Sequence, residues 1–331
     1  MLSELIMLVI SEQQVRGLVD LDELIQALEQ AHIQYSSHRA VMPVRLVLPL
    51  PQIQGRITSM PGFLTDDKAL GMKVVTYFQQ NPKHDLPAIL ATIMLFSAET
   101  GKVMAMMDGS YITAIRTACA SAMATKALAS PKSRVVGILG AGVQARAHID
   151  ALARVRNIAT FRIYSSSGTS ALALRKEMEK RINAAIEVVS SAEQAVRDAE
   201  IVVTVTTAKE PIIKADWLKR GAHVNAVGSH RPELREIDGV TLARAKVVVD
   251  SREAIMAECG DILIAIEEKS ISPSAIHAEI GEILAGVKSG RTDESEITLY
   301  KSVGIAIQDV AAAHLIYEKA LRQGVGTTVE I

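Results

Sequence analysis

The stretch GILGAGVQARAHIDAL, residues 137–152, ends an apolar run on Gly140 and Gly142, puts Ala145 at the third small position of G-x-G-x-x-G/A, and continues as a helical pattern. That spacing suits a dinucleotide: the glycines let backbone N–H groups approach a pyrophosphate, and the helix N-terminus favours its charge. Gly140, Ala141, Gly142, Val143 and Gln144 are the candidate contacts. About 25 residues on, where an Asp or Glu would hold the adenine ribose of NAD, the sequence reads YSSSGTS. Ser165, Ser166, Ser167 and Thr169 can bond a 2′-phosphate without repelling it, which favours NADP(H) over NAD(H). The plainer alternative is a solvated serine-rich loop that tolerates either. A second set is cationic: Arg45 in MPVRLVL, Lys73 in LGMKVV and Arg116 in AIRTACA. An ammonium on an interior strand face is costly unless paired or deprotonated. A guanidinium grips a carboxylate in a planar fork that Lys does not reproduce. On these residues alone, a snorkelling lysine and surface or interdomain salt bridges explain the three cations as well.

The elements that must position these groups change style along the chain. Up to about residue 112, a helix, LDELIQALEQAHIQYSSH, is mixed with β-rich runs, VRLVLPL, GRITSMPGF, ALGMKVVTYF and AILATIMLFSAETGKVMAMMDG. They predict a sheet with helices on one side. The small-residue run IRTACASAMATKALA reads as a closely packed helix ended by Pro131. From residue 134, six short apolar runs (RVVGILG, FRIYSS, IEVVSS, EIVVTVTT, AHVNAVG and AKVVVDS) alternate with helical or turn-like stretches, as in a doubly wound parallel sheet. After about residue 275, IHAEIGEILAGVKSG and GIAIQDVAAAHLIYEKALRQ read as helices, the last returning to the first domain. The predicted fold is α/β, a Rossmann-type doubly wound parallel sheet plus a second α+β substrate and dimerisation domain. The expected domains are 1–115 completed by 305–331, and 116–304.

With 331 residues, 49% of them hydrophobic, the chain can bury the cores of two domains. Its 36 basic and 37 acidic side chains form no long like-charge block, so nothing points to nucleic acid or a membrane. Cys119 and Cys259 lack the spacing of a metal site or disulfide framework and read as buried thiols. The apolar opening MLSELIMLVI is interrupted by Glu4, has no basic leader and is too short to span a bilayer, so a cytoplasmic protein is expected.

GAGVQARAH, together with GMKVV, IRTACASAMATKALA, NAVGSHRPELREID and YKSVGIAIQD, resembles the ornithine cyclodeaminase and mu-crystallin family over nearly the whole chain and in the family's order. The resemblance implies a homodimer, a Rossmann domain following a dimerisation domain, and hydride transfer between a nicotinamide and the carbon bearing an amino-acid nitrogen. It implies that Arg45 and Arg116 bind the substrate carboxylate and that Lys73 is the active-site lysine. It also implies that Ser302 and Val303 line the nicotinamide and substrate pocket, although by sequence they read only as the start of a helix. Thr206 and Val227 join the cofactor set.

The departure from the cyclodeaminase pattern is His230, where ornithine cyclodeaminase carries an aspartate. A neutral imidazole is a poor ammonium partner. Glu233 and Glu236 lie near enough to substitute for the missing carboxylate if the loop folds inward. VGS-x-RP looks more like the ketimine-reductase branch. His230 is either a second catalytic group or a loop residue at the cleft rim, and His148 packs or caps within the Rossmann helix. The expected activity is NAD(P)H-dependent reduction of a cyclic ketimine carboxylate, with Δ1-pyrroline-2-carboxylate the best single substrate. An ornithine cyclodeaminase or alanine dehydrogenase is the nearer rival. A non-catalytic NADP(H)- or small-ligand-binding protein is the farther one. No metal is expected.

Overall fold

The computed structural model describes residues 6–330; the first five residues of the apolar opening lie outside the described residues. The chain divides into two compact units, Met1–Arg116 with Ile305–Ile331, and Thr117–Gly304. Among the described residues each unit carries an eight-stranded sheet.

The first unit runs through β1 (Ile6–Ile10), α1 (Glu12–Leu18), α2 (Leu21–Ser36), β2 (Ala40–Val41), β3 (Leu46–Leu50), β4 (Gly55–Leu64), β5 (Ala69–Phe78), β6 (Ile89–Ser97) and β7 (Val103–Asp108). Strands β4 to β7 form an antiparallel meander, and β1 joins β7 in parallel. Alternation sets the buried face: Thr58, Met60, Gly62 and Leu64 on β4, and Ala69, Gly71 and Lys73 on β5. Lys73 therefore occupies a core-facing position, with Met60 and Ile93 directly opposite it on the neighbouring strands. Helix α3 (Ser110–Leu128) follows; Asp108 caps its start by accepting from the Ser110 and Tyr111 amides at 3.2 and 2.8 Å.

The second unit comprises β8 (Val135–Leu139), α4 (Val143–Val155), β9 (Thr160–Tyr164), α5 (Gly168–Met178), β10 (Ala185–Val188), α6 (Ala192–Val196), β11 (Ile201–Thr204), β12 (His223–Ala226), α7 (Gly239–Arg244), β13 (Lys246–Val249), α8 (Arg252–Glu258), α9 (Gly260–Glu267), β14 (Ile276–Glu279), α10 (Ile280–Leu284) and β15 (Thr298–Lys301). The order is β10-β9-β8-β11-β12-β15-β13-β14, parallel throughout. The chain winds outward from β8 to β10 and then crosses to β11 on the other side of β8. The carboxyl ends of β8 and β11 are thus a topological switch point, where such sheets bind ligands.

All six expected strands are present, and two expectations are corrected. IHAEIGEILAGVKSG does not open as a helix: Ile276–Glu279 is strand β14, with alternating burial, and only the five-residue α10 follows. Ser302 and Val303 do not start a helix either. They follow strand β15, and the buried Asp250 carboxylate accepts from Ser302 Oγ and from the Val303 and Gly304 amides, at 2.8, 2.9 and 2.8 Å. With Gly304 at φ +75°, this holds the segment as a loop until α11 begins at Ala306.

Helix α11 (Ala306–Gln323) and strand β16 (Thr327–Glu330) belong to the first unit, where β16 pairs antiparallel with β1. Helix α11 lies across β4, β5 and β6 beside α2. Its close approach depends on two strand glycines: a Cβ on Gly62 would come to 3.3 Å from Ala306 Cβ, and one on Gly71 to 3.3 Å from Val310 Cγ2.

Candidate active site

In the first unit that approach brings an acidic residue of α11 down to the sheet. Asp309, fully buried, forms ion pairs with Lys73 Nζ at 2.7 Å through Oδ2 and with Arg116 Nε at 2.8 Å through Oδ1. Gln308, next on the same helix, accepts from Arg116 Nη1 at 2.5 Å. Arg45, half-buried just before β3, adds its field to Lys73. The structure thus places Lys73 and Arg116 on a carboxylate that was not nominated, with Arg45 near enough to act on Lys73.

Burial lowers the Lys73 pKa first, and the Arg116 and Arg45 charges lower it further; Asp309 pulls the other way, leaving it at about 7 against an ordinary 10.5. Asp309 itself is driven below the usual carboxylate range: burial raises it, but the Arg116 and Lys73 charges outweigh burial. At neutral pH, therefore, Asp309 is ionised and Lys73 can gain or lose a proton at little cost. Lys73 is buried yet poised, the condition a general acid needs.

In the second unit the glycine turn sits at the switch point. Gly140, at the end of β8, has φ +114°, and a Cβ there would meet the Val205 carbonyl oxygen at 2.8 Å, so the turn requires glycine. Gly142 is the N-cap of the 13-residue α4 and makes no side-chain cap bond; a Cβ on it would meet nothing within 4 Å. The N-cap position itself is thus open, which suits an anion approaching the first turn of α4. Ala141 is nearly buried, while Gly142 and Val143 are exposed and Gln144 half-buried. Ser165, Ser166 and Ser167 form the loop between β9 and α5, with Ser167 Oγ 2.9 Å from Thr169 Oγ1.

Two more buried carboxylates shape this end of the sheet; Asp250 does not stand out in the sequence, and Glu236 takes a role other than the one the sequence suggests. Asp250 fixes Ser302 and Val303, as described. Glu236 Oε1 accepts from Thr206 N and Oγ1 at 2.6 and 2.7 Å, and Oε2 from Thr204 Oγ1 and Gly228 N, both at 2.7 Å. Both donors of Thr206 are thus directed at Glu236, and Val227 lies between β12 and that anchored glycine. Glu236 cannot stand in for a cyclodeaminase carboxylate without losing these bonds, and Glu233 pairs with Arg231 at 3.0 Å. His230 Nδ1 donates to the Gly228 carbonyl at 2.9 Å. His148 is fully buried, donates from Nδ1 to Gln144 O at 2.7 Å and accepts at Nε2 from Ser121 Oγ at 2.9 Å. Desolvation lowers its pKa to about 4, and it is a packing residue. Both cysteines are buried and neither forms a disulfide.

The family model described as the ornithine cyclodeaminase/mu-crystallin family matches residues 6–324. The chain belongs to that family. A Δ1-pyrroline-2-carboxylate reductase of Bacillus cereus is 38% identical over 325 residues, covering 98% of this chain and 100% of that one. Among solved structures, Thermococcus litoralis Δ1-pyrroline-2-carboxylate reductase in complex with NADH and L-proline has a TM-score of 0.95 at 42% identity, covering 98% of this chain and 100% of that chain. An archaeal alanine dehydrogenase dimer with bound NAD has a TM-score of 0.93 at 36% identity, covering 98% and 99%. Within this family member, Asp309 was detectable in principle: a core-facing lysine requires a counter-ion, and YKSVGIAIQD carries an acidic residue. Among the described residues no helix is long and apolar enough to cross a membrane.

Proposed function

We propose that this chain is an NAD(P)H-dependent ketimine reductase that converts Δ1-pyrroline-2-carboxylate to L-proline. The observation that carries the proposal is the Lys73–Asp309–Arg116 cluster, in a chain alike over its full length to reductases of that imine. The dinucleotide, held by Gly140 to Gln144, the Ser165–Ser167 loop, Thr206, Val227 and Ser302, supplies the hydride. Arg116 and Arg45 grip the substrate carboxylate, and Val303 forms part of the substrate wall. Lys73 delivers a proton to the ring nitrogen as the carbon beside it gains the hydride, so the C=N bond becomes CH–NH with one hydride and one proton taken up. Asp309 holds Lys73 in place throughout and keeps its ion pair with Arg116 when Lys73 becomes neutral.

Substrate binding tunes this step. Before it arrives, Lys73 and Arg116 share one carboxylate, Arg45 adds its charge beside Lys73, and Lys73 has a pKa of about 7. The incoming carboxylate is a second anion, so it raises the proton affinity of Lys73 and charges the acid as the substrate docks. His230, with Nδ1 held by Gly228 O, is assigned to the substrate side. The absence of a carboxylate between Ser165 and Thr169 supports a modest preference for NADPH with NADH also accepted, modest because no cation stands in that loop. A homodimer is supported by β3: Leu46, Val47 and Leu48 are exposed on both faces of the strand, Leu46 at 71% and Leu48 at 55%, an apolar surface that a second copy would cover. Two buried thiols that form no disulfide support a cytoplasmic setting.

The test is a panel assay with NADH and NADPH against Δ1-pyrroline-2-carboxylate, Δ1-piperideine-2-carboxylate, and pyruvate with ammonia, and with NAD⁺ against L-ornithine. Reduction of the five-membered imine with the highest kcat/KM, and no ammonia from ornithine, is expected. Multiple-turnover release of proline and ammonia from ornithine would overturn the proposal.

A further inference from the structure

Behind Arg116 the buried polar chain continues. Gln308 Nε2 lies 3.1 Å from Nε2 of His32, a fully buried residue of α2. We infer that His32 and Gln308 are a positioning pair that fixes the guanidinium of Arg116 for the substrate carboxylate; this rests on the reading in which Arg116 binds that carboxylate.

A primary amide has two faces that differ only in which atom donates. Turned by half a rotation, Gln308 would oppose its NH₂ to the Arg116 Nη1 donor. Arg116 alone does not determine which way the amide settles when substrate competes for the guanidinium. His32 does. Its Nε2 can accept from Gln308 Nε2 only in the neutral tautomer that carries the proton on Nδ1, and burial keeps the ring neutral, with a pKa lowered to about 3. That tautomer has a cost. Nδ1 of His32 is buried with no hydrogen-bond partner among the described residues, and an unsatisfied buried donor is destabilising.

The two other fully buried histidines avoid that cost. His148 has Gln144 O and Ser121 Oγ on its two ring nitrogens, and His223 has Thr298 Oγ1 and Asn225 Oδ1. A histidine retained only for packing would be expected to resemble them. His32 leaves one nitrogen unsatisfied and applies the other to the amide that faces Arg116. Asp309 and Gln308, adjacent on α11, then hold two different nitrogens of one guanidinium, Nε at 2.8 Å and Nη1 at 2.5 Å. Rotation of the guanidinium plane is blocked from two sides. The Nη2 end is left for the ligand, in an orientation set before the ligand arrives.

The experiment compares Gln308→Leu, His32→Leu, His32→Gln and Arg116→Met by steady-state kinetics with Δ1-pyrroline-2-carboxylate, NADH affinity and thermal melting. Gln308→Leu is expected to raise KM about tenfold with kcat changed less than about threefold and cofactor affinity unchanged. His32→Leu raises KM several-fold in the same manner. His32→Gln, whose amide can offer an oxygen where His32 Nε2 stood, restores KM to within about twofold of wild type. A folded His32→Leu with unchanged KM overturns the inference, as does a His32→Gln no better than His32→Leu. So does a loss confined to melting temperature. If Gln308→Leu does not fold, the His32 pair alone decides. Arg116→Met separates the two levels: an unchanged KM removes the carboxylate reading, whereas a large rise beside silent His32 and Gln308 variants leaves that reading standing and removes the positioning pair.

Discussion

Two lysines are buried against an aspartate in this molecule, at nearly the same distance, and they hold their protons in opposite ways. Lys73 sits 2.7 Å from Asp309 in the first unit, and Lys301 sits 2.9 Å from Asp261 in the second. Burial disfavours the charge of both. The Lys73 pKa nevertheless falls to about 7, while that of Lys301 rises above its ordinary value. The company each keeps decides the outcome. Arg116 and Arg45 stand beside Lys73, whereas Lys301 faces the carboxyl groups of Asp261 and Glu236, whose fields outweigh its desolvation. The same field contributes to the state of Cys259, whose thiol burial pushes up to about 12 despite the Lys301 charge. A buried Lys–Asp pair is thus chemically ambiguous until the second ring of charges is counted. An excess of cations brings the lysine near neutrality, and an excess of anions keeps it charged.

Exchanging each lysine for methionine is the harshest way to break that comparison. Lys73→Met should lower kcat for imine reduction by about 10²–10⁴-fold, the usual contribution of a general acid, with NADH affinity nearly unchanged. Asp309 keeps Arg116 as its partner, so the melting temperature should move little. Lys301→Met should do the reverse. Asp261 would lose its cation in a fully buried site, a defect of about 3–5 kcal/mol, so melting temperature falls sharply while any correctly folded fraction turns over. A folded Lys73→Met that keeps more than about a tenth of wild-type kcat would remove the acid role.

Asp309→Asn probes the carboxylate between the cations. Without it Lys73 faces Arg116 and Arg45 alone, and its pKa falls further below about 7. Reduction at neutral pH should drop about 10–10²-fold and recover in part as the pH is lowered, because the acid form is scarce rather than absent. Proline oxidation, which needs neutral Lys73, should be affected less. Equal losses in both directions at every pH would assign Asp309 a packing role only.

The pH profile sharpens the comparison with a smaller effect. In the proposed mechanism Lys73 must be protonated to reduce the imine, so kcat/KM should fall as pH rises through about 7, the value for the free enzyme. If the bound carboxylate raises that pKa, kcat should hold to a distinctly higher pH. The stability sign is separate. The folded-state pKa of about 7 lies below the ordinary 10.5, so between the two the unfolded chain binds more protons. The cost of burying Lys73 is therefore full below about pH 7 and is relieved as pH rises from there to 10.5. Lys73→Met should flatten this rise, which urea melts at several pH values would record. Coincident limbs for kcat and kcat/KM would show that substrate binding does not charge the lysine.

What the sequence shows of this design follows the range of the interactions. The turn at Gly140 and Gly142 is legible because its cause is local: a positive φ, a close backbone approach and a helix start all fall within a few residues. Among the six apolar runs from Val135 to Val249, those of β8, β11, β12 and β13 are legible because central parallel strands are buried on both faces, and those of β9 and β10 because one face is. Strand β15 escapes that pattern. TLYK has polar ends, and its Thr298 and Lys301 are buried only because His223, Arg291 and Leu128 O meet the hydroxyl and Asp261 meets the ammonium. Ser302 and Val303 look like the start of a helix until Asp250, distant in sequence, captures them. Asp309, Gln308 and His32 read as ordinary helix residues. Only when α2, α3 and α11 are packed together does their connection through Arg116 become visible, and no periodicity encodes that.

The mildest change concerns the second unit's choice of cofactor, where the two regions should prove separable. Ser166 is exposed in the loop that follows β9, at the place where an NAD-selective sheet presents an acid to the adenine ribose. Ser166→Asp adds a carboxylate that can accept from a ribose diol and repels a 2′-phosphate. The dissociation constant for NADPH should rise about tenfold while that for NADH stays level or falls, since only one cofactor carries the phosphate. Because Lys73, Asp309 and Arg116 belong to the first unit, kcat at saturating NADH and its pH dependence should be those of the unaltered enzyme. Fluorescence titration with both cofactors, followed by one pH series, checks the two halves. If the wild-type protein already binds NADH at least tenfold more tightly than NADPH, the serine loop does not confer the preference assigned to it. If Ser166→Asp shifts the kcat profile, the chemistry of the two units is coupled more tightly than their separate charge clusters imply.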